Sequence, residues 1–264
     1  MSNVLITGCS SGFGAASARR FAEEGHTVFA GVRRLGDAPT IDTGKGDGII
    51  VPLRLDVTSG DSVAEAVTRV RAEVDSLDVL VNNAAVWLTG SIEETPISEM
   101  ARVLDVNLLG AMRMVQAVLP LMRAQGNGVI VTVSSINGVV PMPHTAIYCA
   151  SKFGLEAMVE ALVYELRGTS IRNVLIEPGV FDTGLHRRSV NIGELGTAMA
   201  AMAAGASEAA PPLDVVIDAI VRAAFDATIP LRLPVGPDAE TFVPMRASMS
   251  SDEFIAVMGE FFPV

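Results

Sequence analysis

Three kinds of residue are scarce in this 264-residue sequence: cysteine, aromatic residues and, relative to acidic residues, lysine and arginine. The two cysteines, Cys9 and Cys149, lie far apart, which argues against the disulfide framework of a small secreted protein. We therefore expect both to pack in the core of a protein that works in a reducing cytoplasm. Aromatic residues make up 5% of the chain beside 24 glycines, which favours an α/β protein with tight turns over a β-sandwich.

The chain carries 19 lysine and arginine residues against 30 aspartate and glutamate residues, a formal net charge of −11. Because nucleic acids and anionic membranes are bound mainly through basic clusters, we expect neither as a partner. No uninterrupted apolar run is long enough to cross a bilayer, and the first residues lack the basic start of a signal peptide. We expect a cytoplasmic protein, and we predict no metal site.

Short apolar runs alternate with longer amphipathic stretches along the chain. The predicted strands are residues 4–7, 27–32, 49–55, 79–81, 129–133, 172–177 and 231–235. The predicted helices are residues 15–24, 62–74, 97–123, 148–167, 213–225 and 252–262. This order predicts an α/β fold with a doubly wound parallel sheet between two layers of helices, which is a Rossmann-like, three-layer arrangement. No repeat or charged linker interrupts it, so we expect a single domain over residues 1–264.

Residues 184–212 break this alternation, because they are rich in alanine, methionine and glycine. Small, flexible and apolar side chains suit a mobile helical lid over a substrate. The alternative is a loosely packed surface helix.

A glycine-rich turn, Thr7-Gly8-Cys9-Ser10-Ser11-Gly12-Phe13-Gly14, lies between the first predicted strand and the first predicted helix. Glycines permit positive φ angles and let a backbone approach a pyrophosphate closely. The helix behind them supplies unpaired N–H groups and a partial positive charge. Dinucleotides bind at this place in doubly wound sheets, so we assign Gly8, Gly12 and Gly14 to a cofactor site.

The end of the second strand reads Ala30-Gly31-Val32-Arg33-Arg34, without the acidic residue that commonly holds the ribose of NAD. Two guanidinium groups could instead bind a 2′-phosphate through paired hydrogen bonds. We therefore favour NADP(H), with NAD(H) still possible. The alternative for Arg33 and Arg34 is that both are solvated surface residues.

Tyr148 and Lys152 are four residues apart, so a helix would place both on one face. A free phenol has a pKa of about 10 and is a poor base at neutral pH. A nearby ammonium stabilises the phenolate, which allows the tyrosine to act as a general acid or base.

These motifs together resemble the compact form of the short-chain dehydrogenase/reductase family, with similarity to its hydroxysteroid and retinol dehydrogenase members. The resemblance covers about residues 1–183, and Ala85 departs from it, standing where the family usually has glycine. The cofactor residues that it implies are Gly8, Ser10, Ser11, Gly12, Phe13, Gly14, Arg33, Arg34, Asp56, Val57, Asn83, Ala84, Ala85, Tyr148, Lys152, Pro178, Gly179, Val180 and Thr183.

The same resemblance implies a catalytic tetrad of Asn107, Ser135, Tyr148 and Lys152. Ser135 would hydrogen-bond the substrate oxygen, and its spacing from Tyr148 favours it over Ser134. Lys152 would hold the nicotinamide ribose. Asn107 would fix a water that links Lys152 to solvent; from the residue alone, a polar group at a helix kink is the alternative.

The resemblance implies an oxidoreductase that interconverts an alcohol and a ketone or aldehyde. Val86, Trp87, Leu185, Met199 and Met202 suggest an apolar carbonyl or secondary alcohol as substrate. Relatives commonly form dimers or tetramers through the two long helices, so we expect a homodimer or homotetramer. The alternatives are an NADP(H)-binding sensor or scaffold protein without turnover, and an isomerase or dehydratase that uses the cofactor transiently.

Overall fold

The structure is a computed structural model that describes residues 1–40 and 46–261. Within these ranges the strands are Asn3–Thr7 (β1), Thr27–Val32 (β2), Ile49–Arg54 (β3), Val79–Asn82 (β4), Leu88–Thr89 (β5), Asn127–Val133 (β6), Ser170–Pro178 (β7), Val190–Asn191 (β8) and Arg232–Val235 (β9). The helices are Gly12–Glu23 (α1), Gly60–Glu73 (α2), Ile97–Leu104 (α3), Gly110–Gln125 (α4), Ala146–Glu165 (α5), Gly193–Glu208 (α6), Asp214–Phe225 (α7), Pro237–Ser248 (α8) and Ser251–Phe261 (α9).

Seven strands form one sheet in the order β3-β2-β1-β4-β6-β7-β9, and every neighbouring pair is parallel. The direction in which strands are added reverses between β1 and β4. A crevice opens at such a reversal beyond the carboxyl ends of the strands. The predicted doubly wound α/β fold is therefore confirmed. That the whole chain is one domain stays a prediction.

The core lies on both faces of the sheet because consecutive strand residues point to opposite sides. On β1, Val4 and Ile6 pack with residues of α1 and α7, whereas Leu5 packs with residues of α2 and α4. Cys9 and Cys149 are free and buried, as the sequence predicted.

The helix predicted over residues 97–123 is present as one helical segment, Ile97–Gln125, but it is not α-helical throughout. A π-helical turn, Asp105–Leu109, separates α3 from α4, and α4 continues to Gln125, where Gly126 (φ 86°) ends it. The turn contains neither glycine nor proline, which often mark a break in a helix. The sequence pattern therefore gave no sign of it. Asn107 is in the middle of this turn, and its side-chain contacts hold the turn in place, as described below.

α3, the π-helical turn and α4 together form the segment Ile97–Gln125. By length and composition alone, this segment is long and apolar enough to span a membrane. The segment is not an uninterrupted apolar run, as the sequence indicated, because Asp105, Arg113 and other polar residues divide it. Met114, Val118 and Met122 of this segment are fully buried in the core, which accounts for much of its apolar character.

The structure contains two features that the sequence pattern did not indicate. The first is α8, which begins with Pro237 and carries Asp238 and Glu240 in its first turn, a typical helix start. The second is a two-stranded pair of β5 with β8, and β8 precedes α6. That residues 184–212 form a mobile lid stays a prediction. The last helix, α9, agrees with the prediction up to Phe261, and residue 262 lies outside the described residues.

Candidate active site

A cavity of about 720 Å³ opens at the carboxyl ends of the strands, where the sheet order reverses. Most of the predicted site residues line it: Gly8, Ser10, Ser11, Gly12, Phe13, Arg33, Asp56, Val57, Asn83, Ala84, Ala85, Ser135, Tyr148, Lys152, Pro178, Gly179, Val180 and Thr183. Three do not: Gly14, Arg34 and Asn107. The fold thus brings segments separated by up to about 170 residues to one surface.

The glycine turn at the cavity floor is packed against the loop after β4. The Asn83 amide donates to the carbonyls of Thr7 at 2.9 Å and Gly8 at 3.2 Å, and the Thr7 hydroxyl accepts from the N–H groups of Asn83 and Ala84. A Cβ on Gly14 would lie 2.5 Å from both the Asn83 amide nitrogen and the Gly8 oxygen. Gly14 therefore shapes the turn from behind without lining the cavity.

The first turn of α1 fits an anionic group. Its N-cap residue, Ser11, makes no side-chain capping bond, and the turn contains no acidic residue. The leading N–H groups of a helix lack partners within the helix and carry a partial positive charge. With Ser10, Ser11 and Gly12 on the cavity surface, this end of α1 is suited to a pyrophosphate.

The two arginines after β2 are placed differently. Arg33 is exposed and lines the cavity, where its charge helps to lower the pKa of Asp56, after the larger effect of the Thr58 backbone N–H. Arg34 points into solvent and pairs with Asp37 at 2.9 Å. Of these two arginines, Arg33 is therefore the one in a position to meet a ligand in the cavity.

Tyr148 and Lys152 lie on one face of α5 and are both buried, with the ammonium 5.8 Å from the centre of the phenol ring. Burial raises the pKa of the Tyr148 phenol above its usual value, and a hydrogen bond with Ser135 opposes this rise. Burial also lowers the pKa of Lys152 to about 8. The ammonium donates to the Val133 carbonyl at 2.9 Å.

Ser135 is held by its own short helical turn, Ile136–Gly138, since the Asn137 N–H donates to its hydroxyl oxygen at 3.1 Å. Its hydroxyl therefore has a defined position beside Tyr148 at the cavity wall. Ser134 and Ser135 both line the cavity, but of these two serines only Ser135 affects the pKa of Tyr148.

Asn107 is buried behind the cavity, with its amide engaged by the backbone after β4. It accepts from the Val86 N–H at 2.8 Å, and its amide nitrogen donates to the Val86 carbonyl and to the Ser151 hydroxyl. These bonds join the π-helical turn to the strand end and to α5. Its role in a proton relay stays a prediction.

Sequence reasoning missed several residues that meet the cavity or support it. His186 and Arg188, which precede β8 and α6, line it, and the His186 ring packs against Trp87 with ring centres 4.2 Å apart. Asp238 of α8 accepts from the Val180 N–H at 2.8 Å and so supports the Pro178–Thr183 segment. His186 follows the Pro178 motif closely, but no local signal links Asp238 to Val180, 58 residues earlier.

Comparison with known proteins places these motifs in a family. The sequence model described as short chain dehydrogenase matches residues 2–191. A 3-ketodihydrosphingosine reductase from Bacteroides thetaiotaomicron is 38% identical over 73% of this chain and 68% of its own length. Retinol dehydrogenase 8 from Bos taurus is 39% identical over 67% of this chain, but the match covers only 58% of that protein.

Solved structures share the fold along nearly the whole chain. A short-chain dehydrogenase from Streptomyces avermitilis is 29% identical, with a TM-score of 0.81 over 98% of this chain and 95% of that one. Two Burkholderia structures, each 23% identical, have TM-scores of 0.83 and 0.78 and were determined in complex with NAD and NADP, respectively. They cover 94% and 97% of this chain, and 93% and 96% of their own.

Proposed function

The chain belongs to the short-chain dehydrogenase family of NAD(P)-dependent oxidoreductases, and from this we propose that it interconverts an alcohol and a ketone or aldehyde, with Tyr148 as general acid and base. The observation that carries the proposal is the burial of Tyr148 with Lys152 and Ser135 on one wall of a large cavity. Without these three groups, the cavity would indicate binding and no particular reaction.

The cofactor would lie along the floor of the cavity. The Gly8–Gly12 turn and the start of α1 are suited to hold its pyrophosphate, with Asp56 and Val57 at the adenine and Asn83 to Ala85 at the ribose. Pro178, Gly179, Val180 and Thr183 would border the nicotinamide. When bound, this group supplies or accepts the hydride.

We further propose a preference for NADP(H) over NAD(H). The support is Arg33, an exposed guanidinium at the cavity edge next to Asp56, without a side-chain ion pair in the described part of the chain. A guanidinium can bind a 2′-phosphate through two hydrogen bonds. Arg34 is paired with Asp37 and would have to leave it to take part.

Tyr148, Ser135 and Lys152 would each have a separate role in the proton transfer. Tyr148 gives a proton to the carbonyl oxygen during reduction and takes one from the alcohol during oxidation. Ser135 donates a hydrogen bond to the same oxygen, where negative charge develops. Lys152, while protonated, favours the phenolate of Tyr148, which burial alone would disfavour.

An apolar substrate is supported by the other half of the cavity. Trp87 is buried with its ring edge-on to that of Tyr148, at 6.4 Å between centres. Further apolar side chains line the same cavity: Met142, Leu185, Met199, Met202, Ala203 and Ala206. The relatives are named for retinol and for a ketosphingosine, both largely apolar molecules, and we propose a substrate of that character with a hydroxyl or carbonyl group at Tyr148.

We also propose that the protein is a homodimer or homotetramer in the cytoplasm. Large apolar side chains are exposed on the two long helical segments, among them Leu109, Met112, Phe153 and Tyr164. Exposed apolar side chains on these helices would be covered by another subunit in such an assembly. Multi-angle light scattering of the purified protein tests the assembly, and a monomer at micromolar concentration would contradict it.

The reaction is tested by following nicotinamide absorbance with NADPH and NADH against a panel of aliphatic, aromatic, retinoid and steroid carbonyl compounds. The Tyr148→Phe variant removes the acid and should lower kcat about 10²- to 10⁴-fold while NADPH still binds. Tyr164→Phe is the matched control, because Tyr164 is the other tyrosine of the chain and is exposed.

Equal activity of Tyr148→Phe and the unsubstituted protein would refute the role of Tyr148. Tight NADPH binding without turnover of any compound would favour a sensor or scaffold protein over an enzyme.

A further inference from the structure

The ionisable side chains that line the cavity differ in sign from those of the chain as a whole. Aspartate and glutamate outnumber lysine and arginine by 30 to 19 in the sequence. Among the described residues that line the cavity, Asp56 is the one carboxylate, whereas Lys152, Arg33, Arg102 and Arg188 are basic. An acidic protein that gathers basic groups around one cavity is suited to bind an anionic ligand there.

Arg188 is the cavity arginine that the proposed function leaves without a role. Arg33 is assigned to a 2′-phosphate, and Arg102 is paired with Glu99 at 2.8 Å. Within residues 1–40 and 46–261, the Arg188 guanidinium has no ion pair, and its hydrogen bonds are to two backbone carbonyls. A guanidinium has five N–H groups, so others remain for an anion at the cavity surface.

The two backbone carbonyls fix the position of Arg188. Its Nε donates to the Gly184 carbonyl at 3.1 Å, and its Nη2 donates to the Thr183 carbonyl at 3.3 Å. Gly184 has a φ of 71°, in the left-handed region that favours glycine, and a Cβ there would lie 3.0 Å from Arg188 Nη2. The guanidinium is therefore held against the segment that follows β7.

Thr183 brings this guanidinium to the start of α1. A Cβ on Gly12 would lie 3.0 Å from the Thr183 Cβ and 3.1 Å from the Thr183 carbonyl oxygen. That same oxygen accepts from Arg188, and both Gly12 and Arg188 line the cavity. Since Gly12 is the first residue of α1, the guanidinium lies close to the helix end whose leading N–H groups carry a partial positive charge.

We propose that Arg188 binds the pyrophosphate of the dinucleotide and so completes the anion site at the start of α1. The inference rests on the proposed function for the identity of the ligand, and it adds a residue beyond the Pro178–Thr183 motif. The planar fork of a guanidinium matches the oxygens of a phosphate group. Because NADPH and NADH share the pyrophosphate, Arg188 contributes to the binding of both, whereas Arg33 contributes to the binding of NADPH alone.

Four ligands separate the two phosphate positions. NADPH, NADH and ADP-ribose contain the pyrophosphate, whereas adenosine 2′-monophosphate contains only the phosphate that is assigned to Arg33. Isothermal titration gives the Kd of each ligand for the unsubstituted protein and for each variant, and displacement of NADPH, followed by its fluorescence, gives the Kd of the weaker ligands. Circular dichroism confirms that each variant is folded.

Arg188→Ala should weaken the binding of NADPH, NADH and ADP-ribose about 10-fold each, because a charge-assisted hydrogen bond to phosphate is lost. The Kd of adenosine 2′-monophosphate should stay unchanged. Arg188→Lys keeps the charge without the paired donors and should recover part of the loss. Arg33→Ala should show the opposite pattern, with losses for NADPH and adenosine 2′-monophosphate and none for NADH and ADP-ribose.

Arg187→Ala is the matched control. Arg187 is the neighbouring arginine, is outside the cavity lining and pairs with Asp182 at 2.8 Å. The substitution removes the same charge from the same turn, so it shows whether a general loss of positive charge is enough to weaken binding. All four Kd values should stay close to those of the unsubstituted protein.

Unchanged affinity of folded Arg188→Ala for the three pyrophosphate compounds would overturn the proposal. So would an equal loss in Arg187→Ala, or a loss that extends to adenosine 2′-monophosphate. A higher KM for the carbonyl substrate with unchanged cofactor affinity would also overturn it and would assign Arg188 to an anionic substrate group.

Failure of the proposed function is seen separately, in the unsubstituted protein. Dinucleotide binding without turnover would refute the proposed reaction and leave the role of Arg188 to be decided by the titrations, which need no turnover. Absence of dinucleotide binding to the unsubstituted protein would overturn both.

Discussion

Two walls of the cavity are built in different ways. The cofactor wall (residues 8–13, 31–33, 55–58 and 83–85) stands on strand ends and on α1, which buries six of its twelve residues. The lid wall (residues 185–206) stands largely on α6, which buries three of its sixteen residues. The first wall is therefore held by the core, whereas the second depends on a few local contacts.

The contacts of the lid wall are concentrated at one place. β5 pairs with β8 over two residues, and the Thr89 hydroxyl donates to the Gly196 carbonyl at 2.8 Å while lying 2.9 Å from Asn191 Oδ1. We therefore expect the cofactor wall to tolerate less sequence change than the lid wall.

The largest effect is expected for Gly14→Ala in the cofactor wall. The added methyl group would lie 2.5 Å from the Asn83 amide and the Gly8 oxygen, so the turn must shift. We expect a loss of about 1–3 kcal/mol in the free energy of unfolding together with weaker NADPH binding. Urea unfolding and fluorescence titration with NADPH measure the two effects.

Gly60→Ala serves as the control for this substitution, because nothing lies within 4 Å of the added methyl group at the start of α2. If both variants kept full stability and NADPH affinity, the view of the cofactor wall as tightly constrained would be wrong.

A more local effect, on cofactor binding and not on folding, is expected at the edge of the same wall. Arg33→Ala should weaken NADPH binding about 10- to 100-fold, because a hydrogen bond to a charged group contributes about 1.5–3 kcal/mol. NADH binding should change little. Arg34→Ala is the comparison, since Arg34 is paired with Asp37 in solvent. Isothermal titration with both cofactors separates the outcomes, and equal losses of NADPH affinity would contradict the assignment of Arg33 alone.

The smallest effect is expected in the lid wall. Thr89→Val removes the hydroxyl that reaches Gly196 and Asn191, a contribution of about 1 kcal/mol. KM for the carbonyl substrate should rise several-fold while NADPH affinity stays unchanged. Thr197→Val is the control, since the Thr197 hydroxyl bonds only within α6, to the Gly193 carbonyl. A fall in NADPH affinity for Thr89→Val would show that the two walls are coupled.

The sheet and most of its helices were predictable because their patterns are local. Apolar runs of strand length predicted β2 with its observed bounds, and glycines such as Gly25 and Gly126 mark where helices end. The π-helical turn at Asn107 was not predictable, because its stability comes from Val86 and Ser151, which are 21 and 44 residues away.

The sequence by itself determined the family, the order of strands and helices along the chain, and the residue types that meet at the cavity. Motif spacing suffices for this, since each motif forms its turn or helix from neighbouring residues. Only the tertiary structure separated Arg33 from Arg34 and joined Glu156 and Glu177 to Arg232. Those pairings depend on which strands are neighbours in the sheet and on where each side chain points. Neither can be read from the spacing of residues along the chain.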